Sequence, residues 1–310
     1  MPRALDALLT ELIDYAGLFP PAELGLADVV HNYDQYWRGP QRWMLGRLIV
    51  PASRLAEFEQ VYAQVASPPS AADPWRLSVL VPAAGETAAW EAALDQISEY
   101  QAHRAKSATP GPVIDTLEGK AHQAAEVDAA AVLVDRGLQV FLELPWGTAA
   151  HPLLAAIAAH QRPGLRAKLR TGGVTPPAIP SPELVADFIT AAAANGVGFK
   201  ATAGLHHPLR ACQRLTYRAD APTAVMHGFL NVFVAAVLAA DGTVPQTTLE
   251  QILSEQDSSA FCFDDLGLAW RGQRASLAAI QTTRRRFAYA FGSCSFTEPV
   301  EDLQVLGWGK

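Results

Sequence analysis

Residues 164–208 read GLRAKLRTGGVTPPAIPSPELVADFITAAAANGVGFKATAGLHHP, two strand-like runs around one helical run. In the first run Ala167 and Leu169 alternate with Lys168 and Arg170, the period-two signature of a β-strand. The run stops at Thr171-Gly172-Gly173, a turn signal. Residues 182–195 have the length and apolar content of a helix, and 197–202 form a second strand in which Phe199 and Ala201 flank Lys200. Strand, helix, strand in this order is a βαβ unit with parallel strands.

The same alternation extends in both directions. Strands are predicted at 45–50, 76–81, 112–117, 138–144, 165–169, 197–202, 260–264 and within 287–296. Helices are predicted at 52–65, 86–100, 121–136, 152–161, 182–195, 223–240, 248–254 and 273–285, with a last short one from Thr297. Eight such strands close a (β/α)8 barrel. A doubly wound sheet would bind nucleotides through a glycine-rich first turn, and no GxGxxG occurs. Two helices, at 2–13 and 24–37, precede the first of these strands. Residues 1–44 are therefore expected to form a helical extension and 45–310 the barrel. The extension can cover one barrel end or support a dimer. The best linker candidate, 67–73, is read as a loop.

Composition narrows the partners. The chain has 310 residues, half of them hydrophobic, and a net charge of −7. Without a basic stripe, nucleic acid is not expected as a partner. The one dense basic run, Arg284-Arg285-Arg286, ends a helical pattern, where cations complement the helix dipole. Cys212, Cys262 and Cys294 are too few and too scattered for a disulfide framework or a zinc cluster, and fit a reducing cytoplasm. The N-terminus lacks a signal-peptide pattern. The apolar stretch 224–240 is too short and too polar for a membrane span. A small molecule is the expected partner, with neither nucleic acid nor membrane, and a homo-oligomer is compatible.

In such a barrel the chemistry comes from the C-terminal ends of the strands. Those ends carry Glu118, Glu143, Lys168 with Arg170, Lys200 with Thr202, Asp264, and Ser293 with Ser295. If the apolar set faces the helices, Lys168, Arg170 and Lys200 turn into the barrel. Buried charge is costly unless paired. Glu118 and Glu143 would balance the cations, and a purely structural ion-pair network would use the same residues. The sharper expectation is imine catalysis. A lysine amine attacks only when neutral, and both burial and a neighbouring cation favour that form. Lys200 is the expected nucleophile, Lys168 its helper, and Glu143 or Glu118 the proton carrier.

The string Phe199-Lys200-Ala201-Thr202-Ala203-Gly204 resembles the Schiff-base strand of class I aldolases of the deoxyribose-phosphate type. There a lysine on strand six is followed by small residues, threonine and glycine. The resemblance implies that Lys200 is the imine lysine. It also implies a helper lysine on strand seven, where the predicted strand holds Cys262 and Asp264 instead. The expectation is thus an aldolase-like lyase acting on a small anionic carbonyl or sugar-type substrate, with no cofactor.

Other residues fit substrate binding. Thr171, Gly172 and Gly173 offer backbone N–H groups to an anion, with Arg170 adding charge. Ser293 and Ser295 lie where many barrels hold phosphate, and Thr202 and His206 follow Lys200. A divalent metal is the alternative, with His206, His207, Glu143 and Asp264 as ligands. A non-catalytic barrel that binds a ligand or partner is the third reading. Asp14 and Tyr15 are expected to fix a turn, and His227 and Asn231 to form a satisfied buried pair. The long loop 205–222, with Arg210, Arg214, Tyr217 and Arg218, is expected to act as a lid or a subunit contact.

Overall fold

The computed structural model of the protein describes residues 1–65, 73–240 and 244–309. The loop expected at 67–73 lies outside them except for Asp73. The fold is a closed barrel of eight parallel strands with helices between them, a (β/α)8 barrel. Its strands are β1 (Ile13–Tyr15), β2 (Leu45–Pro51), β3 (Arg76–Leu80), β4 (Val113–Lys120), β5 (Gln139–Glu143), β6 (Leu165–Arg170), β7 (Phe199–Thr202) and an eighth, Ala288–Ser293. They follow one another around the barrel in chain order. Among the described residues, no helix is long and apolar enough to cross a membrane.

Eight strands close the barrel, but two of the predicted assignments change. Ile13–Tyr15 pairs with the eighth strand through Ile13↔Phe291 and Tyr15↔Ser293, and with β2 through Ile13↔Leu45. The boundary expected at 44/45 therefore does not hold, because the first strand lies inside the helical extension. It is only three residues long, too short for a periodicity to show. Helix Arg3–Leu9 precedes β1, and helix Leu26–Arg38 connects it to β2.

The expected seventh strand, around 260–264, is not in the barrel. Phe261–Phe263 pairs antiparallel with Gly267–Trp270, which pairs in turn with Gln273–Ser276. Arg271 and Gly272 both have positive φ (41° and 90°), as a two-residue hairpin turn requires. The helix expected from 273 consequently starts only at Leu277. A second hairpin, Ala211–Arg214 with Thr223–Met226, fills the expected lid, so the next helix begins at Phe229. That helix, Phe229–Ala239, is buried on every side and stacks Phe229 on Phe291 of the eighth strand at 5.1 Å.

The position of β1 depends on a missing side chain. A Cβ on Gly46 of β2 would lie 2.2 Å from Asp14 Oδ1 and 3.2 Å from the Ile13 carbonyl oxygen. Glycine lets the two strands approach while the Asp14 carboxylate accepts the Arg47 N–H at 2.7 Å. Gly46→Ala should lower unfolding stability by roughly 1–3 kcal/mol, the usual cost of overpacking. A urea titration checks this, and an unchanged midpoint would show that β1 is not held in this way.

Candidate active site

The C-terminal mouth of the barrel is built on a ladder of alternating charges. Asp14 on β1 accepts from Lys200 Nζ of β7 at 2.5 Å. Lys200 also donates to Glu118 Oε1 of β4 at 2.6 Å, and Ser78 Oγ of β3 donates to the same oxygen at 2.6 Å. The other Glu118 oxygen accepts from Lys168 of β6 at 3.2 Å. Lys168 Nζ lies 3.3 Å from Glu143 Oε2 of β5, and Arg170 Nε donates to Glu143 Oε1 at 3.0 Å. The ladder has three carboxylates and three cations and crosses the barrel interior. The facing residues are adjacent in register, since Glu143 pairs with Lys168 and Lys168 with Lys200.

Burial grades along this ladder. Lys200 and Asp14 are each 1 % exposed, Lys168 is 4 %, and the Arg170 side chain at the far end is 37 %. Burial by itself disfavours the Lys200 ammonium, but Asp14 and Glu118 outweigh it and raise its pKa. Burial likewise opposes ionisation of Glu118, and Lys200 and Lys168 hold that carboxyl at about 2. Glu143 is also lowered, as Lys168 and Arg170 overcome its burial. The expectation that Lys200 is tuned toward a neutral amine is thus corrected: two carboxylates, rather than its cationic neighbours, set its state.

A cavity of about 400 Å³ opens above the ladder. Lys168, Glu118, Glu143 and Arg170 line it, with Lys120 at its edge; Lys200 is not among the lining residues. Phe19, Pro20 and Pro21 from the loop after β1 form one wall. Leu215 and Met226 from the hairpin after β7 form another, so the expected lid does border the cavity. Two of its basic residues have partners outside the cavity: Arg218 pairs with Asp220 at 3.1 Å, and Arg210 Nη1 lies 3.3 Å from His227 Nδ1.

His206 and Cys294 also line the cavity. His206 Nδ1 lies 3.3 Å from Glu298 and 3.9 Å from Cys294 Sγ, and the Tyr217 hydroxyl donates to Glu298 at 3.3 Å. Burial works against a charged His206, yet the contacts to Cys294 and Glu298 raise it to about 9. The shift favours the imidazolium at neutral pH, which adds to the basic lining of Lys168, Arg170 and Lys120.

The remaining expected residues divide clearly. Thr202 and Gly173 line the cavity. Thr171 and Gly172 hold the mouth together instead. Thr171 Oγ1 donates to the Ala203 carbonyl at 2.6 Å, and a Cβ on Gly172 would lie 2.9 Å from Gly204 Cα. Ser293 Oγ accepts the Ser295 N–H, and Ser295 Oγ accepts the Glu298 N–H at the start of helix Thr297–Val305. Both serines shape a turn and do not line the cavity. The alternative metal ligands His206, His207, Glu143 and Asp264 are not brought together. His207 is 2.6 Å from Asp302, while the Asp264 carbonyl accepts from Ala4 at the opposite, N-terminal end of the barrel. Among the described residues no cluster of three or more histidine, cysteine or carboxylate groups has metal-site geometry. His227 and Asn231 are each satisfied, but not by each other: His227 bonds the Pro180 carbonyl and Asn231 the Ile252 and Glu255 carbonyls.

Sequence reasoning missed four residues that the fold brings to the site. Asp14, expected in a turn, lies in a strand of three residues, too short to show a period. Lys120 follows Glu118 by two, a spacing that does place both on one strand face. Cys294 and Glu298 had no local signal.

No family model matches the chain, and no curated protein matches it. Among solved structures, a deoxyribose phosphate aldolase from Aeropyrum pernix, described as having a unique tetrameric structure, is similar over 98 % of this chain and 96 % of its own. That similarity has a TM-score of 0.47 and 13 % sequence identity.

The Glu118 shift gives a pH test. A carboxyl held below its ordinary value contributes stability that is complete above its unfolded pKa and is lost as pH falls through the folded one. For Glu118 the window runs from 4.5 down to about 2. Native stability should fall by roughly 3 kcal/mol from this group across that range. Denaturant titrations at stepped pH should show the fall, and Glu118→Gln should flatten it. Equal slopes in both proteins would remove Glu118 as its source.

Proposed function

We propose that the protein is a barrel enzyme of the lyase type that forms an imine between Lys168 and a small anionic carbonyl compound. The observation that carries this reading is the division between the two lysines. Lys168 lines the cavity and holds its carboxylates at 3.2 and 3.3 Å, whereas Lys200 is sealed beneath by contacts of 2.5 and 2.6 Å. A nucleophile must reach its substrate, so the role expected for Lys200 passes to Lys168. The strand count supports the exchange. With Ile13–Tyr15 as β1, Lys168 lies on strand six and Lys200 on strand seven. Those are the strands that the resemblance to class I aldolases of the deoxyribose-phosphate type gives to the imine lysine and its helper.

In this reading Lys168 Nζ passes a proton to Glu143 and adds to the substrate carbonyl carbon. The carbinolamine takes up a proton and loses water, leaving an iminium. The iminium accepts the electron pair of the bond between its α and β carbons as a base takes the proton of the β-hydroxyl; the β fragment leaves as a carbonyl compound, and the remaining enamine is protonated and hydrolysed to free Lys168. Glu143 is suited to the proton work because Arg170 and Lys168 are what hold it ionised. A substrate anion that draws Arg170 away relaxes that restraint, while the iminium keeps the positive charge of Lys168. Glu118, fixed near 2, acts as a permanent negative charge. Arg170, Lys120 and the His206 imidazolium surround the cavity and favour an anionic substrate.

Borohydride reduction in the presence of a panel of small aldehydes and ketones tests the assignment. A stable adduct should map to the peptide containing Lys168 and disappear in Lys168→Met. An adduct on Lys200 would reverse the roles, and none with any carbonyl would remove imine chemistry.

A further inference from the structure

The opposite end of the barrel holds a cavity of about 610 Å³ that the proposed chemistry does not use. It lies at the N-terminal ends of the strands, with Arg47 from β2, Arg76 from β3 and Arg166 from β6 in its wall. Arg3 from the first helix and Arg284 and Arg285 from the end of helix Leu277–Arg286 complete it. Six arginines thus face two lining carboxylates, Asp6 and Glu11, in a chain whose net charge is −7.

Two of the six are neutralised. Arg47 forms a fork with Asp115 at 2.6 and 2.8 Å, and Arg76 meets Glu11 at 2.7 Å. Arg166 and Arg284 are not. Arg166 bonds the uncharged Gln139 and lies 3.8 Å over the Tyr289 ring. Arg284 turns back on the carbonyls of Ala288, Tyr289 and Thr10. Among the described residues neither has a carboxylate at ion-pair distance. The Nε–H groups of both are buried without an acceptor. Both side chains are partly buried, where a guanidinium lacking a counter-charge is disfavoured, and burial pulls Arg284 down to about 10 with Asp14 and Glu11 only partly offsetting it. A helix-dipole role accounts for a cation at the end of the last turn. It does not account for Arg166, which comes from a different element and meets Arg284 in the same cavity.

We propose that this N-terminal cavity binds a compact oxyanion carrying two or more negative charges, at a site separate from the one that contains Lys168. Guanidinium forks match phosphate and carboxylate oxygens, and such a ligand would supply the counter-charge that Arg166 and Arg284 lack. The cavity lies in the volume range of small-molecule sites, roughly 300–1,000 Å³.

The test uses pyrophosphate, with inorganic phosphate and citrate as further arms, at constant ionic strength by calorimetry and thermal unfolding of the full chain. Pyrophosphate should bind saturably and raise Tm by about 4 °C at a hundredfold excess over Kd. Arg285→Ala, a change at an exposed position, should weaken binding at least tenfold, as should Arg166→Gln where that variant folds. Lys168→Met should leave binding unchanged. Citrate binding with the same arginine dependence would extend the site to polycarboxylates. The proposal is overturned if none of the three anions binds saturably in the millimolar range. It is also overturned if binding survives Arg285→Ala or is lost in Lys168→Met, since the anion would then sit elsewhere.

Discussion

Six charges share the interior of one barrel, and nearly everything at its C-terminal mouth follows from how they are neutralised. Removing a carboxylate or an ammonium from water costs several kcal/mol unless it is paired and hydrogen-bonded. Asp14, Lys200, Glu118, Lys168, Glu143 and Arg170 meet that condition by alternating in sign, so each inner member has opposite charges on both sides. Contacts are tightest at the Asp14 end, at 2.5 and 2.6 Å, and run from 3.0 to 3.3 Å beside the cavity. The inner half is a sealed scaffold in which Lys200 lies between Asp14 and Glu118. The outer half, Lys168 and Glu143, keeps its charges at longer range beside open space. A sealed ion-pair network and a pair of charged groups beside open space are therefore two ends of one arrangement.

The ladder also explains why the shortest strand matters. Asp14 is one of three residues in β1, and it reaches Lys200 only because Gly46 has no side chain in the way. The loop that leaves β1 then supplies Phe19, Pro20 and Pro21 to the cavity wall. One short segment thus closes the barrel, neutralises its deepest lysine and shapes the site. On the opposite side the hairpin after β7 brings Leu215 and Met226 over the cavity, and Tyr217 ties that hairpin to Glu298. Cys294 and Glu298 in turn raise the pKa of His206 against its burial.

Much of this was legible from residues alone. The alternation at Lys168 and Arg170 and around Lys200 placed those cations on strands facing inward. Glu118 and Glu143 could be named as their partners because buried cations require them. The barrel class followed from the strand–helix alternation. The exceptions have physical causes. A three-residue strand shows no period. Gln273–Ser276 and Thr223–Met226 adjoin helical sequence, and only their antiparallel partners mark them as strands. Ser293, Ser295 and Thr171 carry the right groups, but local backbone donors and acceptors claim them first.

The sequence by itself determined the parallel βαβ class, the inward charge on β4 to β7 and the net charge of −7. It could do so because side-chain period and net charge are local or additive properties. Tertiary structure alone decided which lysine meets the cavity and which is sealed. Lys168 and Lys200 have similar sequence surroundings, and the difference between them is Asp14, 186 residues away from Lys200 in the chain. Pairing across a closed barrel depends on which segment closes it, and no window of sequence around either lysine contains that information.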